Sequence, residues 1–408
     1  MYEGKIDRYA RLVLRKGINL KKGQNLFIKT GPGTYYFARS LAKCAYELGA
    51  GLVEFLLEDL DILSSRLSAQ DDAEVQKYLP WQSGINESVI KDEWAYIAIK
   101  TTEDSLDHGP LDPDKYALFS KATRRVNTDV QRLRMTHQLP WCVVCVPGPR
   151  WAKQIFGSDD PTIDHLWQVI APIVMIDKSD PEDAWDQKDI FLKKRIAILN
   201  EMEVDSLHFS SPVTDLVIGF NEKHRWLGGS SMLSDGRPFF PNIPTEEIFT
   251  VPDMTRAEGY VTSTRPVTVM DTPTEEVRFV FKNGRVVDFN ARKGAEVIRK
   301  HLEVDEGSSR LGECALVDES NPIAASGLIF HSILYDENAS CHIALGAGYP
   351  DCLEGGRSLV TDKELHEHGC NTSLMHTDFM IGSKETDVTA ITRAGKEVPV
   401  IKKGHFVI

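Results

Sequence analysis

Up to about residue 200 the apolar positions alternate between two spacings. Short apolar runs at 25–29, 52–57, 95–100 (AYIAIK) and 141–146 (WCVVCV) read as buried strands. Between them, stretches such as YYFARSLAKCAYELG (35–49), and an earlier one holding Leu12 and Val13, place apolar residues at helical intervals. Strands separated by helices of this length predict βαβ units and a mainly parallel sheet. From about Ser206 the texture changes. SLHFS, TDLVIGF, EVRFVFKNGRVVDF and the last 23 residues alternate apolar with polar, the signature of half-buried antiparallel strands. Lys282-Asn283-Gly284-Arg285 marks a two-residue hairpin, and one helix, 293–303, interrupts the strands. The expected fold is therefore α/β plus α+β, with an N-terminal α/β domain over 1–205 and a second domain, rich in antiparallel strands, over 206–408. The helical stretch 183–203 links them. Neither repeats nor low-complexity tracts are evident.

Composition narrows the class without naming a chemistry. A chain of 408 residues suits two cores better than one. With 42% apolar and 26% charged residues it is globular, and no run is long and apolar enough to span a bilayer. The first 20 residues intersperse charges throughout, so no signal-peptide core is expected. Seven scattered cysteines point to reduced thiols and a cytoplasmic protein. The net charge of −13 argues against nucleic acid and anionic membrane as partners.

Candidate chemistry is concentrated in the second half, where Glu247, Glu313, Glu337, His342, His376 and Asp378 mix hard oxygen donors with imidazole. That is what a divalent cation such as Zn, Mn, Co or Mg requires. Taken singly, each has a plainer explanation. His376-x-Asp378 puts both side chains on one face of a strand, where they could equally be solvated. Glu337 and His342 need a turn at Asn338-Ala339 to meet. Glu313 precedes a predicted buried strand, and a carboxylate there needs a partner. Glu246 and Glu247 follow Pro244-Thr245, which reads as a helix or turn start with Glu246 as a capping residue.

Other features are set aside. Cys142-x-x-Cys145 lies on a strand and faces opposite sides, unlike a redox pair. His366-Glu367-His368 is a solvated helix end. Gly31-Pro32-Gly33-Thr34 lacks the residues of a phosphate loop and reads as a turn with Thr34 as helix cap. No Gly-x-Ser-x-Gly elbow occurs.

Taken as a set, PNIPTEEIFTVP, EGSSRLGECALV, LYDENASCHIALGAGYP and GCNTSLMHTDFMIGS resemble the M29 family of metallo-aminopeptidases in order and separation. Weaker similarity, including YARLVLRKGINLKKGQ, extends over nearly the whole chain. The resemblance implies a metal-bearing C-terminal domain that releases N-terminal residues from peptides with a free N-terminus. It also implies a homodimer and two divalent metal ions (Zn, Co, Mn or Mg) on Glu247, Glu313, Glu337, His342, His376 and Asp378. Glu313 would be general base and acid, and Tyr349 would stabilise the oxyanion; without the family pattern Tyr349 reads as an aromatic filling its loop. One departure is Val213, where relatives usually carry Gly, which makes a positive-φ turn harder to form. Two competing readings are a mononuclear iron ring-cleaving dioxygenase on the same fold and an inactive metal-binding relative.

Overall fold

The computed structural model describes residues 3–78, 80–100, 102–106, 111–157, 162–270, 272–359 and 361–408. The chain forms two compact units. The first is Met1–Asp186 with Ser230–Ile243, and the second is Gln187–Gly229 with Pro244–Ile408. The expected boundary at 205 therefore differs from the observed division in two places. Helix Pro181–Glu201 spans the change of unit, and Leu192, Ile196 and Leu199 from its latter half enter the second unit's core. Residues 230–243 return to the first unit because Asn242–Ile243 extends its parallel sheet alongside Val143 and Val144. Phe240 there packs edge-on to Trp185 at 5.0 Å.

In the first unit Leu26–Thr30 is flanked in parallel by Val53–Leu57 and Ala95–Lys100. Trp141–Cys145 and Asn242–Ile243 complete a five-stranded sheet, parallel at every pairing. Cys142 and Cys145 are buried in the fourth of these strands in chain order. The Gly31–Thr34 turn differs from expectation in its cap. The Thr34 hydroxyl turns back to receive the Gly31 amide at 3.3 Å and makes no cap to the helix Tyr35–Glu47. Asp104 instead accepts the Gly33 amide at 2.7 Å. Neighbouring Glu103 accepts the Arg150 and Trp151 amides at 3.1 and 2.8 Å, at the start of helix Pro149–Phe156. Both helix starts thus already hold a carboxylate of the chain itself.

The second unit contains an eight-stranded and a five-stranded sheet, antiparallel throughout. Alternating apolar residues from both meet in one core, and Phe279 of one touches Phe379 of the other edge-on at 5.0 Å. The predicted hairpin closes with Lys282 opposite Arg285, and Asn283 and Gly284 take the positive φ values of 50° and 75° that such a turn demands. The Ser211–Thr214 hairpin closes on Pro212 and Val213 with no positive φ at Val213, so the turn needs no glycine there. Among the described residues no helix is long and apolar enough to cross a membrane.

Candidate metal centre

Four neighbouring strands of the five-stranded sheet or their immediate flanks supply the candidate ligands. In spatial order they are His376–Met380, His342–Gly346, Leu311–Leu316 and Ile248–Thr250. Period-2 alternation divides the work of each strand between two faces. Cys314, Leu316, Ile343, Leu345 and Phe379 enter the apolar core, while Glu313, His342, His376 and Asp378 project to the opposite face. The ladder sets Ala344 opposite both Glu313 and Asp378, and Gly346 opposite His376. Apart from His342 itself, the middle strand therefore offers only small side chains beneath the space that the acids surround.

Glu313 stands within its strand rather than at the entrance. A register shift between Leu311 and Glu313 re-aims it, with Gly312 as the extra residue. A Cβ at Gly312 would lie 2.3 Å from the Ala347 carbonyl oxygen, so only glycine lets the loop leading to Tyr349 pack this closely.

Two triads of donor atoms form, Glu247–Glu313–His342 and Glu313–His376–Asp378, each with its atoms within 4.8 Å of one another. Glu313 belongs to both. Its Oε1 lies 3.4 Å from His342 Nε2 and its Oε2 lies 3.6 Å from His376 Nε2. His342 Nε2 is also 3.1 Å from Glu247, and His376 Nε2 is 3.4 Å from Asp378. Donors each about 2 Å from one cation stand roughly 3 Å apart, which is the spacing seen. The other nitrogen of each ring is held by the backbone: His376 Nδ1 donates to the Ala347 carbonyl at 2.8 Å and His342 Nδ1 to the Ser340 carbonyl at 3.2 Å. Both Nε2 atoms are thereby turned to the acids.

Glu337 lies outside the two triads but feels the charges of Glu247, Asp378, His342 and Glu313. A short helical turn over Glu337–Ala339 leads into the strand that begins at His342. Glu247, Glu313, His342 and Asp378 are buried, whereas Glu337, His376 and Tyr349 are half-buried, making them the accessible side.

Electrostatics supply the test of whether these residues suit a cation. Burial, with the charges of Glu247 and Asp378 added, pushes the Glu313 carboxyl up against the opposing imidazoles. Burial and the same two acids raise Glu337 far above the ordinary range. Burial also opposes charge on the imidazoles, yet the acids outweigh it, raising His342 strongly and His376 to about 10. Asp378 is held low despite burial because His376 and His342 face it. Its Oδ1 is nevertheless buried without a hydrogen bond. Such a cluster either retains protons or exchanges them for cations, and the donor set fits divalent metal.

Tyr349 packs against His376, with ring centroids 5.0 Å apart. Burial and the surrounding acids keep its phenol protonated. Glu246, expected to cap, does something else. No helix starts there; its side chain forms a buried ion pair with Lys188. The sequence pattern does not mark Ala344 or Lys188 and marks Asn338 only as part of a turn, whereas Gly312, a glycine within a strand pattern, is a known sign of a bulge.

The family model described as thermophilic metalloprotease (M29) matches residues 2–406. Aminopeptidase T of Thermus aquaticus is 36% identical over 405 residues, covering 99% of this chain and 98% of its own. Aminopeptidase 2 of Geobacillus stearothermophilus is 34% identical over 407 residues, covering 99% and 98% respectively. The solved structure of wild-type AmpT from Thermus thermophilus superposes with a TM-score of 0.90 at 34% identity over 100% of both chains. Sequence match and shared architecture extend from end to end, and the chain belongs to the M29 family of thermophilic metalloproteases.

Proposed function

We propose that this metallo-aminopeptidase removes N-terminal residues from peptides using two divalent cations, drawn from Zn, Co, Mn or Mg. Glu247, Glu313, Glu337, His342, His376 and Asp378 would hold them, and the second unit would be catalytic. The observation that carries the reading is Glu313, whose two oxygens address two separate triads. When bound, the ions supply Lewis acidity at the scissile carbonyl and a water of lowered pKa.

The chain's own groups handle the proton and the oxyanion. A Glu313 oxygen takes the proton of the attacking water and returns it to the leaving amine, a role favoured by its buried, upward-shifted carboxyl. Tyr349, kept as a neutral phenol by its surroundings, donates to the tetrahedral oxyanion. Six donor residues and aminopeptidase relatives favour this over the mononuclear dioxygenase, and the presence of Glu313 and Tyr349 favours it over an inactive relative. A homodimer belongs to the same proposal, tested by sedimentation; a monomer mass would remove it. Seven buried cysteines scattered along the chain suit a reducing, cytoplasmic setting.

The direct test is release of p-nitroaniline from aminoacyl p-nitroanilides. Turnover should vanish with EDTA, return with divalent metal, and be absent on N-acetylated substrates. Cleavage of blocked substrates would overturn the exopeptidase reading, and indifference to EDTA would overturn the metal.

A further inference from the structure

Asn338 is a fully buried polar side chain (0% exposed) between two of the proposed ligand segments. Its Oδ1 accepts the Glu246 amide at 2.6 Å. Its Nδ2 donates to the Leu334 carbonyl at 3.0 Å and lies 3.4 Å from Glu337 Oε1. One amide therefore ties the residue preceding Glu247 to Glu337, its own neighbour in the chain. From the other direction, Glu246 pairs with Lys188 on helix Pro181–Glu201, with side chains only 9% and 10% exposed.

The same helix braces the Glu247 strand a second time. Lys193 donates to the Gly228 carbonyl at 2.8 Å, and Gly228 is paired with Ile248. Gly228 also packs so closely that a Cβ there would lie 2.4 Å from the Glu247 carbonyl oxygen. The helix is itself anchored through Leu192, Ile196 and Leu199 in the core.

Stability alone is a poor reason for this arrangement. Desolvating two charges offsets much of their attraction, and apolar replacements of buried pairs are often neutral or better. Holding one geometry is the use that remains. We propose that Asn338 and the Lys188–Glu246 pair are positioning residues that fix Glu247 and Glu337 relative to each other before metal arrives. This rests on the reading of Glu247 and Glu337 as ligands.

The test is Zn2+ affinity, measured by competition with a chromophoric chelator, alongside apo-protein melting and kcat and KM. The variants are the double substitution Lys188→Met/Glu246→Gln, which removes both charges of the pair together, and separately Asn338→Ala. The expected result for the double variant is an apo melting temperature close to wild type, with Zn2+ affinity lowered roughly 10–100-fold. At saturating metal, kcat should fall while KM holds. Wild-type affinity and kcat in folded double variant would overturn the proposal, whatever its melting temperature. If the double variant fails to fold, Asn338→Ala decides on the same readings. Glu247→Gln in the same titration separates the two failures. If it leaves affinity intact, the ligand reading is wrong; if it alone weakens binding, only the positioning role falls.

Discussion

In the first unit Glu103 and Asp104 bury neighbouring carboxylates, and in the second Glu247, Glu313 and Asp378 do the same. Their partners differ. Glu103 receives two backbone amides and Asp104 one, all at the starts of helical segments. The acids of the second unit face imidazoles at 3.1–3.6 Å and converge in triads whose donor atoms lie within 4.8 Å of one another. One oxygen in each group, Asp104 Oδ2 and Asp378 Oδ1, is left without a hydrogen bond, so the difference lies in the converging imidazoles. Buried acidity by itself therefore distinguishes nothing. A carboxylate held by backbone amides at a helix start serves as structure, whereas several that converge with imidazoles suit a cation.

The largest effect expected from this contrast comes from closing the space above the middle strand. Ala344→Leu should yield folded protein without metal or measurable turnover, read by circular dichroism and metal analysis. Retained metal would show that the acids do not converge over Ala344. Next come matched substitutions in the two clusters. Glu313→Gln should lower kcat by about 10²–10⁴-fold with some metal still bound. Glu103→Gln should leave kcat alone but reduce stability by about 1–3 kcal/mol in denaturant titration. Equal effects on turnover would erase the distinction.

Tyr349→Phe should lower kcat about 10²–10³-fold without changing metal content. An unchanged kcat removes the oxyanion role. The smallest effect concerns an acid of the satisfied kind. Despite burial, Asp318 is held at about 2 by hydrogen bonds from Ser320, the Phe406 amide and His405. Because the folded value lies below the unfolded one, its contribution of about 2 kcal/mol is present above roughly pH 4 and disappears towards pH 2. Asp318→Asn should flatten that portion of the stability–pH curve; an unaltered slope would assign the acid sensitivity elsewhere.

How much of this was legible in sequence followed the range of the interaction. Strands with a clean period, such as 95–100 and 278–282, and the Asn283-Gly284 turn are dictated locally. So is the shared face of His376 and Asp378. The bulge that aims Glu313 was harder to see because Gly312 is explained by a carbonyl from residue 347, distant in sequence. Glu246 read as a cap because its local context, Pro244-Thr245, resembles a helix start, while its real partner Lys188 lies 58 positions earlier. Residues 230–243 carry no local mark of the sheet they join, since two short rungs to Val143 and Val144 decide it. The Asp104 cap on the Gly31–Thr34 turn likewise depends on a contact 71 residues away.

The central claim is that Glu313 joins two cation sites, and metal counting by mass spectrometry of the purified protein tests it most directly. The account predicts about two divalent ions per chain, with Glu247→Ala and Asp378→Ala each reducing the count. A single iron per chain, or a count indifferent to both substitutions, would contradict it.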